Sequence, residues 1–398
     1  MENTSEQFLS SWKSNERYFE MLQLMASLSK LFSENTTPYL DYRLAENIFC
    51  KYFYAKNEAR SCTAYDARIG NLGIGIKTFG IQSGGSTEKI AEFNKLKPQL
   101  DHLRNIELAR RLAQFRNDRI EMANRLYSVH ESVYHIVGRG CGMLRIFNVP
   151  YELIDIDKIH KVKDNETSIS FWVDDDCYSF NKSKSVLQKR FMLPSDYKEI
   201  SVDILDDPFE LLASLLDNNG SSLIRNDVCD GRLGVKLRRK GVDYVVLPLY
   251  STRGGVEHVP EKSGLNQWNA AGRVRNEDEV YIPIPQDIHK HFPSFFPDRK
   301  TEFTLVLPSG DELSAKICQS NGKALMSNPN SALGYWILRT VLRKKPGELV
   351  MMNDLTRYGI DSVLVEKLHK KDSVGKPMFS LSFTAFAYEE YRRFVEEI

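Results

Sequence analysis

The chain predicts an α+β protein in two parts, a mixed helix-and-strand front and a mostly-β rear. Three observations carry this. Its 398 residues exceed what one ordinary core organises. A hydrophobic content of 42% with 11% aromatics belongs to globular chains. The apolar period also changes along the chain, from helical spacing near the start to short alternating runs punctuated by Pro and Gly towards the end.

In order, ERYFEMLQLMASLSKLF repeats apolar residues at helical spacing and stops before the breaker NTTP. DYRLAENIFCKYFYA predicts a second helix with Asp41 as its N-cap. AYDARIGNLGIGIKTF is Gly-punctuated and alternating, the pattern of a hairpin or of two short strands. The loop GIQSGGS leads to TEKIAEFNKL, read as a third helix, and the charged run from Leu103 to Tyr127 reads as a solvated helix with one apolar stripe. YELIDI, SISFWV and CYSFN read as strands, with a turn at Asp174–Asp176. SKSVLQKRFML reads as a helix or an edge element carrying Lys182, Lys184, Lys189 and Arg190. DPFELLASLL predicts a helix and DYVVLPLYS a strand. Beyond the linker-like TRGGVEHVPEKSG come EVYIPIP, EFTLVLPSGDELSAKIC and ALMSNPNS as short strands, then GYWILRTVLRK and NDLTRYGIDSVLVEKL as helices. The expected domains are 1–255 and 263–398.

With 54 basic and 53 acidic residues, a formal charge of +1, no global field favours nucleic acid or membrane, so a polyanion site must be a local patch. Six cysteines stand singly without a CxxC, as expected of reduced thiols rather than a disulfide frame or zinc site. A polar start and no long apolar run predict a soluble, cytoplasmic protein. There is no GxxxxGK[ST], GxSxG or HExxH, and His160-Lys161-Val162 breaks the His-x-Lys pattern of phospholipase D-like nucleases.

Asp66 and Lys77 are separated by ten residues on Gly-rich strands, just after a helix containing Glu46. Phosphodiester hydrolysis needs hard cations held by carboxylates and benefits from a lysine near the water or phosphate. The spacing resembles the PD-(D/E)XK nuclease core. That resemblance implies a magnesium-dependent site, with Asp66 and a second acid as ligands, Lys77 beside the phosphate or water, and Glu46 as an outer acid. The usual acid two residues before the lysine is Gly75 here. Some restriction endonucleases of this superfamily move it to the following helix, where this chain offers Glu88 and Glu92. Glu92 is favoured because its neighbours are apolar, while Glu88 in a first turn would serve the helix dipole.

Further on, SGLNQWNAAGRVRNEDEVYIPIPQDIHKHFPSFFPDR followed by FTLVLPSGDELSAKICQSNGKALMSNPNSALGYWILR resembles the DNA-binding domain of the NgoFVII family of restriction endonucleases. The resemblance spans roughly Ser263–Leu368. It implies a plant B-three-like pseudobarrel with two arms clasping the major groove, the first at Gly272–Asn276 and the second at Gln319–Asn330. Arg273, Arg275 and Asn276 on one arm, and Gln319, Asn321, Lys323, Ser327 and Asn328 on the other, are residue types that pair with base edges or phosphates. Trp268 reads as a packing anchor for the first arm. Many members of that family carry a phospholipase D-like catalytic half, whose motif this chain lacks.

Together the two halves predict a type II restriction endonuclease acting on double-stranded DNA, working as a homodimer when it cuts and accompanied by a separate DNA methyltransferase. The alternative is a non-catalytic, sequence-specific DNA-binding regulator.

Overall fold

The computed structural model describes residues 5–58, 64–81, 84–215, 243–262, 264–266 and 276–385. They fall into two compact units, one within 1–59, 64–117 and 129–237, the other within 60–63, 118–128 and 238–398.

The first unit opens with helices α1 (Ser5–Ser11), α2 (Glu16–Ser27) and α3 (Tyr42–Phe53). Asp41 caps α3 as expected, accepting from the backbone N–H of Arg43 at 2.9 Å and of Leu44 at 3.4 Å. The apolar faces of these helices pack on a six-stranded mixed sheet with the order β1 (Lys56–Asn57), β2 (Ala67–Ile69), β3 (Leu72–Gly80), β5 (Glu131–Gly140), β6 (Met143–Pro150), β11 (Lys198–Ser201). The predicted hairpin is β2–β3, turning at Gly70-Asn71 where Gly70 has φ +55°. Strand β3 then pairs in parallel with β5.

A second, antiparallel sheet has the order β4 (Gly85–Glu92), β10 (Val186–Met192), β9 (Asp176–Asn181), β8 (Ser168–Val173), β7 (Ile159–Asp164). Here three of the expected elements differ. TEKIAEFNKL is not a helix: residues 85–92 form β4, hydrogen-bonded along its length to β10. SKSVLQKRFML is neither a helix nor an edge, since β10 lies between β4 and β9. Strand β4 is stabilised by a partner about a hundred residues away, a pairing that local spacing does not encode, and it is this pairing that turns β10, already paired to the neighbouring β9, into an interior strand. YELIDI is also not a strand; the chain runs irregularly from 151 to 155 before a short 3-10 turn.

After the short helix α4 (Lys97–Leu100) comes α5 (Asn105–Tyr127), the long charged helix. It is far from solvated. Leu108, Ala109, Leu112, Ala113 and Phe115 pack with the second sheet, and from residue 118 onward the helix belongs to the second unit. Arg116 and Asp118 are themselves buried. Asp118 accepts a bidentate pair from Arg357, at 2.5 and 2.6 Å, within that second unit. The helix α6 (Pro208–Leu215) begins where Asp207 predicts it.

The second unit is built on an open seven-stranded sheet, with no closed barrel. Its order is β12 (Tyr244–Pro248), β19 (Ser362–Lys371), β20 (Pro377–Thr384), β16 (Phe303–Val306), β17 (Glu312–Cys318), β18 (Ala324–Ser327), β15 (Ile282–Pro283). The strand at 244–248, assigned by the sequence to the front part, is hydrogen-bonded to β19 in this sheet. A two-stranded ribbon, β13 (Ser251–Arg253) with β14 (Val256–His258), follows it. Helices α7 (Gln286–His291), α8 (Ser331–Gly334), continued as a π-helix over Tyr335–Val341, and α9 (Met352–Tyr358) complete the unit. NDLTRYGIDSVLVEKL is therefore only half helical: α9 ends at Gly359 in the left-handed region and SVLVEKL enters β19.

Among the described residues no helix is long and apolar enough to cross a membrane. Cys50, Cys141, Cys177 and Cys318 are free thiols, while Cys62 and Cys229 lie outside the described residues.

Candidate functional site

In the first unit, α3 and the β2–β3 hairpin bring Glu46, Asp66 and Lys77 into one neighbourhood. Glu46 sits one turn into α3, its side chain 6% exposed, and accepts from Arg43 Nη1 at 3.1 Å. Burial raises its carboxyl above the ordinary range and the charge of Asp66 adds to the rise, while Arg43 and Lys77 oppose it. Asp66 immediately precedes β2; its Oδ2 accepts from the Ile76 N–H at 2.8 Å, and its own N–H donates to Ile74 O. That bond fixes the carboxylate beside the stretch of β3 from which Lys77 projects. Cys50, one turn beyond Glu46, is pushed up to about 12 by burial and then by Glu46, Asp66 and Glu58. Glu46 thus lies close enough to Asp66 for the second carboxylate to oppose its charge, with Arg43 and Lys77 as counter-charges.

Gly75 is explained by what lies over it. A Cβ there would meet Tyr134 Cδ1 and Tyr151 Cε1, each at 2.9 Å. Those two rings stack with centroids 3.9 Å apart, leaving no room for an acidic side chain. Nor does β4 supply one in the expected way. Glu92 is on the second sheet, ion-paired to Lys89 at 3.0 Å and accepting from Asn94, and Glu88 accepts from Ser86 at 2.5 Å. Among the described residues no three His, Cys, Asp or Glu side chains cluster to hold a metal ion. The basic run around β10 is partly neutralised, Lys189 on the strand pairing with Asp176 at 2.5 Å and Lys182, just beyond β9, with Asp164 at 2.6 Å.

In the second unit Arg273 and Arg275, with Trp268, lie outside the described residues. Where the description resumes, Asn276 is exposed and accepts from Asp278 N–H at 2.9 Å. The segment behind it is anchored by Arg339, whose Nε donates to Asp278 at 2.7 Å and whose Nη2 donates to Glu277 O at 3.1 Å.

The second arm divides into two groups. Gln319, Asn321 and Lys323 are exposed on the turn joining β17 to β18, with Gln319 at φ +64° and Asn321 at φ +59°. The four residues of β18 follow, all buried, and place Asn328 at the opposite end of that hairpin, about 13 Å along the strand. Ser327 is not presented to a ligand. It is fully buried, its hydroxyl donating to Pro329 O at 2.8 Å and accepting from Leu333 N–H at 2.9 Å. A serine at the end of a buried strand, with a helix starting four residues on, was open to this framework role. Asn328 is exposed, and Glu302, which the sequence reading passed over, is its partner.

An exposed polar turn, a second exposed amide and an anchored segment leading from two arginines sit on one open β unit. Residues 245–369 of this unit match the NgoFVII C-terminal B3-like DNA-binding domain. This is a restriction-enzyme domain, and the match begins at β12, ahead of the span that the sequence alone picked out. No curated protein matches the chain. The rear of the molecule is therefore similar to a DNA-binding domain of restriction-enzyme type, which supports DNA as a partner.

Proposed function

We propose that the protein is a type II restriction endonuclease: the second unit reads a short duplex sequence and the first hydrolyses phosphodiester bonds with magnesium. The observation that carries this reading is the match of residues 245–369 to a restriction-enzyme DNA-binding domain. The grouping of Glu46, Asp66 and Lys77 in the other unit supports the catalytic half.

In this reading Glu46 and Asp66 hold the metal, and Lys77 contacts the scissile phosphate or orients the attacking water. Bound there, the ion supplies Lewis-acid polarisation of the phosphate and relieves the crowding of the two carboxylates. The Ile76 N–H keeps Asp66 aimed, and Arg43 offsets the buried charge of Glu46. The PD-(D/E)XK likeness of this unit rests on the α3–β2–β3 arrangement and the parallel return through β5. Cutting both strands calls for two such sites, so a homodimer on DNA belongs to the proposal, as does a methyltransferase that protects the host's own copies of the site.

Incubating the pure chain with a mapped plasmid, with magnesium or with chelator, tests it. Discrete fragments that depend on magnesium are expected. Sequence-selective binding with no strand cleavage in any divalent cation would instead leave the regulator.

A further inference from the structure

Four adjacent strands of the second unit, β20, β16, β17 and β18, place a polar cluster at one end of the sheet. Glu302 directly precedes β16, Ser314 is on β17, Asn328 directly follows β18, and Lys376 directly precedes β20. The Asn328 Nδ2 donates to Glu302 Oε1 at 2.8 Å, and Lys376 Nζ lies 2.7 Å from Glu302 Oε2. Ser314 Oγ donates to the same Oε2 at 3.4 Å, and the Asn328 backbone N–H donates to Ser314 O at 2.7 Å. Asn328 is exposed, with its Oδ1 hydrogen-bonded to no protein group among the described residues. Lys376 and then Asn328 itself hold the Glu302 carboxyl below its ordinary range.

An ionised carboxylate only accepts. Facing it, an asparagine amide must turn its nitrogen inward, and its carbonyl is then the group left to point outward. We infer that Glu302 is a positioning residue that locks Asn328 as an outward-facing acceptor, so that Asn328 selects a base bearing an exocyclic amine in the major groove. Such a base is adenine through N6 or cytosine through N4, and adenine is the fuller partner because its N7 can also meet the second N–H of the amide. Guanine O6 and thymine O4, being acceptors, repel the same carbonyl. The segment following the first arm reaches this end of the sheet too, since Asn330 Nδ2 lies 3.5 Å from Glu279 Oε1. The inference rests on the proposed reading that this unit binds DNA through its arms.

The experiment uses the full chain with calcium replacing magnesium, so that the duplex stays whole. Selection from a pool of random duplexes first defines the bound motif. Each adenine or cytosine of that motif is then replaced in turn by purine or 2-pyrimidinone, which lack only the exocyclic amine. One replacement should weaken wild-type binding about tenfold, the size of one good base contact. The same replacement should leave Asn328→Ala unaffected, and Glu302→Gln should respond much less than wild type, because a neutral amide partner lets Asn328 turn either way. If no replacement separates wild type from Asn328→Ala, the assignment of Asn328 is overturned. If Glu302→Gln keeps the full wild-type dependence, the role of Glu302 is overturned. In both cases DNA reading itself still stands; a wild-type chain that selects no motif removes that reading as well.

Discussion

In the first unit the candidate catalytic groups are drawn inward, with Glu46 at 6% side-chain exposure and Asp66 clamped to the backbone of Ile76, whereas in the second the candidate DNA contacts Gln319, Asn321, Lys323 and Asn328 stand out in solvent. The difference follows from the work proposed for each. A site that stabilises developing charge gains from fixed groups in a partly dry place, where their fields are least screened. A surface that reads base edges must leave its donors and acceptors open until the groove arrives. Mutations should therefore separate the two: changes at the inward site alter rate or stability, changes at the outward one alter affinity and choice of sequence.

The largest expected effect is at Asp66 and Lys77. Replacing either with alanine should slow plasmid cleavage about 100-fold or more, with binding in a mobility-shift assay little changed. Cleavage within a few-fold of wild type by either variant would break the catalytic half of the comparison.

Gly75→Glu comes next. It restores the acid of the PD-(D/E)XK pattern but drives a side chain into the Tyr134–Tyr151 stack, and a clash plus a buried charge should cost about 3 kcal/mol or more of stability, read as a fall in melting temperature. A folded, more active variant would show that the tyrosines yield.

The interior of the first unit also predicts a pH effect. His135 is fully buried between Tyr18 Oη at 2.8 Å and Asn148 Oδ1 at 2.7 Å, and burial lowers it to about 4. With its folded value below the unfolded one near 6.5, the unfolded chain binds the extra proton. Stability is then full above about pH 6.5 and is lost as pH falls towards 4, by up to about 3 kcal/mol. Denaturant melts across that range should show the loss in wild type and a flatter profile in His135→Gln.

Smaller again is the arm. Arg273→Ala or Arg275→Ala should weaken a selected duplex by about 1–3 kcal/mol while sparing random DNA, if they read bases. Equal losses on both duplexes, with a shallower salt dependence, would make them phosphate contacts instead.

What the sequence made legible follows the range of the forces involved. Asp41 as a cap, the alternating strands of AYDARIGNLGIGIKTF and the helical stripe of α2 are local signals, and each was readable from its own neighbours. Strand β4, and with it the interior place of β10, was misread because the pairing that joins them is distant, and β19 because SVLVEKL reads equally well in either period. Within the candidate site, Asp66 and Lys77 were visible as a hairpin spacing. The Tyr134–Tyr151 stack over Gly75 and the Glu302 clamp on Asn328 come from residues 59 or more and 26 positions away, and nothing local marks them. Ser327 shows the converse error, a polar residue type taken for surface chemistry when its hydroxyl ties a strand to the next helix.

The central claim, one unit that cuts and another that reads, is tested most directly by measuring binding and cleavage side by side on one selected duplex. The proteins are wild type, Asp66→Ala and the double Arg273→Ala/Arg275→Ala variant, each with magnesium. The account predicts that Asp66→Ala binds as wild type does and does not cut, while the double variant loses its preference for the selected duplex over a scrambled one. An Asp66→Ala protein that cuts normally, or that loses binding as completely as cleavage, would contradict it.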